Sequence, residues 1–221
     1  MTGQRTSPLQ NRVNPFGEVI ATSERGLFLG NRGGCFHDAD QELTRARWAS
    51  RQWITCVLEF KDRRRALMQP GLYTELFFLD EATALAAGHR PCFECRRADS
   101  LRFFEALRAG IPGLVAEDAR LYVDTVDRRL HEERVDARTK AQRTRRAVVG
   151  DLPNGTMLTL PEDDAQPYLL MGGQLLPWSF AGYGTPIRSD RASEATVLTP
   201  ATTLAALRAG YEPVVHPSAW A

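Results

Sequence analysis

Two cysteines three positions apart, in Cys92-Phe93-Glu94-Cys95, carry the most specific chemical signal in this sequence. A tight turn brings both sulfurs to one side, where two thiolates hold a tetrahedral ion at about 2.3 Å each. Redox dithiols share the spacing, but they open a helix after a strand, whereas this pair follows a short helix closed by Gly88. Arg90, Arg96 and Arg97 flank the pair and are expected to lower its thiol pKa values. A metal, with zinc as the ion, is therefore the preferred reading. A structural zinc takes four ligands, and the chain offers four thiols, Cys35, Cys56, Cys92 and Cys95. His37 replaces Cys35 in a second candidate set, and Cys56 also reads as a buried apolar thiol on a strand. With only three protein ligands, water would fill the last place and the site would be open to catalysis.

Other side chains carry alternatives. His37-Asp38-Ala39-Asp40 follows the Gly33-Gly34 turn and offers a ligand or base with two carboxylates, or simply the start of a helix. Glu75 stands among aromatic residues, where burial would raise its pKa into general-acid range; an outward strand position is the alternative. His131 has no second histidine four residues on, which excludes the zinc-protease pair and leaves a solvated helical face. His89 reads as a group orienting a ligand, and His216 has no partner visible in sequence. Residues 128–146 hold eight Arg or Lys against three Asp or Glu, so Arg128, Arg138 and Arg145, with Arg32 in the glycine turn, are candidate phosphate contacts. Trp178 and Tyr183 lie in an aromatic and glycine-rich stretch that would wall a pocket for a flat ligand, or pack a core at a β bend.

The elements that must position these groups follow from local patterning. Residues 26–30, 53–60 and 73–79 read as strands. Asp80 caps a short helix over 81–87 that Gly88 stops, and a second helix spans about 98–109. A third runs from about Glu117 toward Arg145 with Tyr122, Val126 and Leu130 on one stripe, and a short helix fits 40–51. Strands follow at 156–160, 168–171, 174–176, 178–183 and 195–198, with Gly172-Gly173 as a hairpin turn. Thr199-Pro200 opens a last helix closed by Gly210. The repeated Leu-Arg-Ala-Gly at 107–110 and 207–210 is explained by two glycine-capped helices without a duplication.

Residues 77–96 (FFLDEATALAAGHRPCFECR) resemble the C-terminal half of the zinc-binding module of Ada-type alkylation-repair proteins. That module also occurs appended to nucleases and other DNA-linked bacterial proteins. The resemblance implies a structural zinc with four protein ligands and a DNA-repair or DNA-binding setting; in the repair proteins one cysteine accepts a methyl group from a DNA phosphotriester. Their Cys-x-x-x-Cys pair is absent here. Gly30-Asn31 through His37 is similar to the start of related modules, but Gln41 stands where they carry a cysteine. The remaining ligands are therefore sought among Cys35, His37, Asp38, Asp40 and Cys56.

Composition bounds the rest. With 221 residues, 43% hydrophobic and 25% charged, the chain can bury a sizeable core. Its formal net charge of +1 gives no bulk attraction to nucleic acid or membrane, though a small basic cleft is compatible with it. Lys61 and Lys140 are the only lysines; the arginine bias fits either phosphate recognition or genome composition. No apolar run is long enough to span a bilayer and Met1–Asn14 lacks a signal-peptide core, so a cytoplasmic location is expected. The expected fold is α+β: an extended arm (1–25), a zinc-stabilised part (26–110), a long helix and basic linker (111–146), and a β-rich C-terminal part with a final helix (147–221), either separate or packed as one domain with 26–110. The leading functional expectation is a zinc protein that binds or acts on nucleic acid or a nucleobase-like ligand. A metal-dependent hydrolase of a small molecule and a zinc-stapled interaction module are the alternatives.

Overall fold

A computed structural model describes residues 7–61, 66–116 and 119–221. The fold is α+β, with two sheets and four α-helices among the described residues. The first sheet draws on β1 (Gln10–Val13), β2 (Val19–Ala21), β3 (Phe28–Arg32), β4 (Trp53–Val57) and β5 (Leu76–Phe78). Helix α1 (Glu81–Ala86) and β6 (Arg90–Pro91) follow, then α2 (Arg97–Gly110) and α3 (Val123–Arg134). The strand order is β2-β1-β5-β3-β4-β6, mostly antiparallel, with β1 parallel to β5 and β4 parallel to β6. The second sheet, antiparallel throughout, uses β7 (Arg145–Val148), β8 (Thr156–Leu160), β9 (Asp163–Met171), β10 (Gln174–Ser179), β11 (Gly182–Tyr183), β12 (Ile187–Arg188) and β13 (Glu194–Val197). Helix α4 (Ala201–Arg208) comes last. Gly172 and Gly173 both have positive φ, 59° and 75°, and turn β9 into β10 as a two-residue hairpin requires.

Every residue of α1 is buried, because the helix lies between the two sheets. Ala84 and Ala87 pack with Val13, Phe28, Leu76 and Phe78 of the first sheet. Ala82 and Ala86 pack with Met157, Leu169 and Leu176 of the second. Small side chains on all sides let one helix touch both layers. Leu85 joins a third cluster with Phe103 and Leu107 of α2, Leu130 of α3, Leu158 and Leu170 of the second sheet, and Leu204 of α4. Asp80 caps α1 by accepting from the Thr83 amide at 2.8 Å, and Gly88 at φ 81° follows its end.

Several expectations are corrected. Residues 40–51 form no helix: Gln41 has φ 64°, and the amides of Thr44, Ala49 and Ser50 donate back to Phe36 and Arg32 carbonyls. The arm 1–25 contains β1 and β2, paired into the first sheet; its residues 1–6 lie outside the description. The long helix ends at Arg134, where Val135 turns extended. The Asp136 carboxylate then accepts from the Arg138 and Thr139 amides, closing a turn. The expected start of that helix at Glu117, and the stretch Asp62-Arg63-Arg64-Arg65, also lie outside the described residues. Thr199 does not cap α4; its hydroxyl accepts from the Met157 amide, and Glu133 of α3 instead receives the Thr202 amide at 2.7 Å.

Candidate metal centre

The Cys-x-x-Cys turn links β6 to α2, so the pair does follow a short strand and precede a helix, against the sequence expectation. The third sulfur of Cys56, not the helix context, sets it apart from a redox dithiol. The turn's amide at Cys92 donates to the Thr55 carbonyl at 2.9 Å, extending the parallel pairing of Ile54 with Arg90 and Thr55 with Pro91. The next step in that register sets Cys56 beside Cys92. The sulfurs of Cys56, Cys92 and Cys95 consequently all lie within 4.8 Å of one another. Sulfurs of a tetrahedral site with about 2.3 Å bonds stand about 3.8 Å apart, so modest closure suffices. Cys92 is buried, while Cys56 and Cys95 are half-buried.

The turn also supplies a thiolate environment. Hydrogen bonds from the Cys56 and Cys95 thiols, then from the Cys95 and Glu94 amides, hold the Cys92 sulfur far below the ordinary thiol range. The Glu94 amide lies 3.3 Å from that sulfur. Cys56 is pushed up in turn, first as hydrogen-bond donor to Cys92 and then to Cys95. The flanking arginines do not carry this effect. Arg90 pairs bidentately with Asp127 at 2.7 and 2.8 Å, and Arg96 bridges Glu81 and Asp99 at 2.9 and 2.7 Å. Arg97 is exposed. Three convergent soft donors, one already favoured as thiolate, fit a thiophilic metal ion.

Among the described residues the cluster holds three potential ligands, and neither Cys35 nor His37 belongs to it. His37 is buried with both ring nitrogens engaged, Nδ1 at 2.7 Å from the Thr74 hydroxyl and Nε2 at 3.2 Å from the Gln69 carbonyl. Cys35 is exposed and sits 3.7 Å from the same ring. Asp38 and Asp40 are exposed on a loop where the Asp38 carboxylate caps the amides of Asp40 and Glu42. Glu75 is buried and accepts from the Met68 amide at 2.7 Å.

The proposed pocket wall at Trp178 and Tyr183 is core instead. Both are buried in the cluster joining α1 to the second sheet, with Trp178 Nε1 donating to Thr83 and Tyr183 Oη to Asp80. His216 does have a partner: its amide donates to Asp80 at 3.0 Å. The candidate phosphate contacts separate. Arg128 is exposed and pairs with Asp124, Arg138 is exposed in the turn after α3, and Arg145 is half-buried on β7. Arg32 is buried, opposite Trp53 in the β3–β4 register. Its guanidinium stands 4.0 Å above the Trp53 ring, where the buried Arg134 also stacks at 3.9 Å. The sequence reading did not single out Arg134 or Trp53, because their meeting depends on sheet register and on where α3 ends.

No family model matches the chain, and no curated protein or solved structure matches it. Its own geometry defines the class: an α+β protein with a three-cysteine cluster suited to a metal ion.

Proposed function

We propose that the chain is a zinc-stapled protein that binds nucleic acid or a nucleobase-like ligand, with zinc held by Cys56, Cys92 and Cys95. The observation that carries the metal half is the convergence of three sulfurs within 4.8 Å across two strands and a turn. The ligand half is supported by the Ada-like stretch at 77–96 and by two buried arginines, Arg32 of β3 and Arg134 of α3, stacked on Trp53. Zinc binding would tie β4 to the turn before α2 and release thiol protons.

Three protein ligands would leave a coordination place for water, and a hydrolytic reading gains from the half-exposure of Cys56 and Cys95. Two considerations favour the staple. Three thiolates outweigh the 2+ charge of the ion and weaken it as a Lewis acid, and of the carboxylates expected as bases, Asp38 caps a loop and Glu75 receives a backbone amide elsewhere. Thiol alkylation of chelator-treated protein, with and without added zinc, tests the reading. Zinc should protect Cys56, Cys92 and Cys95 while the exposed Cys35 reacts in both samples. In parallel, a labelled single-stranded oligonucleotide should gain fluorescence anisotropy with the zinc-loaded protein. Unprotected Cys56 would contradict the metal assignment, and unchanged anisotropy the nucleic-acid assignment.

A further inference from the structure

Arg32 and Arg134 are both buried, 2% and 1% exposed, yet neither comes within ion-pair distance of a carboxylate among the described residues; the field of Asp127 reaches Arg134, but that carboxylate is bonded by Arg90. Arg32 donates to the Gly17 carbonyl at 2.8 Å and more distantly, at 3.4 Å, to the Arg47 carbonyl and His89 Nε2. Arg134 donates to the carbonyls of Gly88 and Arg51, each at 2.7 Å, and its Nε has no partner. Carbonyls and an aromatic face partly solvate these cations, but two positive charges in one buried place remain costly without an anion.

Both line a cavity of about 710 Å³ between the β1–β2 hairpin, the loop before β4 and the turn after α3. Arg45, Arg47 and Lys140 also line it, so five cationic side chains face one carboxylate, Glu18, which is held by Asn14 at 2.8 Å. The local field is visible on a neighbour: burial and the charges of Arg134, Arg51 and Lys140 lower His131 to about 4. Trp48, half-buried, supplies a flat wall; its ring lies 5.7 Å from that of the buried Trp53, which the two arginines cover, and the Lys140 ammonium lies 4.5 Å above Trp48.

We propose that this cavity is a nucleotide site, in which the arginines and Lys140 take a phosphate and Trp48 takes the base. Arginine forks match phosphate geometry, base–aromatic stacking tolerates any base, and the volume lies in the range of small-ligand pockets. The site lies apart from the metal cluster: Trp53 and Cys56, three residues apart on β4, face opposite sides of the sheet. It rests on the nucleobase-ligand reading above and gives that reading an address. The phosphate comes either from a free nucleotide or from the end of a strand.

Calorimetric titration of the full chain with adenosine 5′-monophosphate, adenosine and a 5′-phosphorylated oligothymidylate tests the site. The monophosphate should bind, adenosine should bind at least about tenfold more weakly, and salt should weaken the former. Arg47→Ala and Lys140→Ala, at exposed positions, should each weaken the monophosphate about tenfold with unchanged thermal midpoint. Arg32→Gln should abolish binding, with circular dichroism checking that it folds. Equal affinity for adenosine, no binding of the monophosphate, or exposed-site variants that bind like wild type would each overturn the proposal. If oligonucleotide binds equally well to wild type and both variants, this site is wrong and the nucleic-acid reading stands. Monophosphate binding that needs Arg47 and Lys140, without oligonucleotide binding, keeps the site and removes the nucleic-acid reading.

Discussion

At the scale of single residues, the distribution of charge distinguishes groups that share a chemical type. Arg90 and Arg96 are buried on carboxylates, whereas Arg32 and Arg134 are buried on carbonyls and a tryptophan face. His131 reports the difference. Its ring lies edge-on to Trp48 at 5.3 Å, and Arg134 Nη2 is 3.0 Å from its Nδ1. Because its folded pKa, about 4, lies below the ordinary value near 6.5, the fold favours neutral imidazole. That contribution is complete above pH 6.5 and is lost as pH falls toward 4. The thermal midpoint of wild type should therefore decline through this window more steeply than that of His131→Gln; parallel profiles would contradict the assignment. Sequence placed His131 on a solvated face, because the loop 44–51 that covers it comes from far along the chain.

At the scale of elements, what was readable depended on how local the determining contacts are. Asp80 and Gly88 bracket α1 as expected, since a cap and a positive-φ stop act within one turn. The hairpin at Gly172-Gly173 was equally legible. By contrast, the polar stretch 40–51 has few apolar positions to hold a helix against sheet carbonyls, and its backbone follows Phe36 and Arg32 instead. The metal cluster shows the same division. The Cys92–Cys95 pair is visible in the spacing, while the proximity of Cys56 requires the parallel register of β4 and β6. Gly88 serves a second purpose: a Cβ there would meet Arg134 Cδ at 2.4 Å. Gly88→Ala should therefore cost roughly 2–3 kcal/mol from left-handed strain and displacement of Arg134. In a chain of this size that lowers the thermal midpoint by roughly 5–10 °C, measurable by calorimetry. A neutral effect would show that Arg134 moves aside freely.

At the scale of the molecule, α1 makes one body of two sheets. The sequence divides into a cysteine-bearing part and a β-rich part and leaves open whether they pack together; Leu85 shares one core with α2, α3, α4 and the second sheet. Periodicity identifies each buried face but not which distant face it meets. Leu85→Ala, at a site with no exposure, should cost about 2–5 kcal/mol and lower a single cooperative transition. Two separated transitions in wild type would contradict the shared core. No helix among the described residues is long and apolar enough to cross a membrane.

The proposed zinc site at Cys56, Cys92 and Cys95 is tested by elemental analysis of purified protein. Wild type should carry one zinc per chain. Cys56→Ser and Cys92→Ser should lose it, while Cys35→Ser and His37→Ala should retain it. Metal-free wild type from chelator-free purification, or full zinc retention in Cys56→Ser, would contradict the three-cysteine centre.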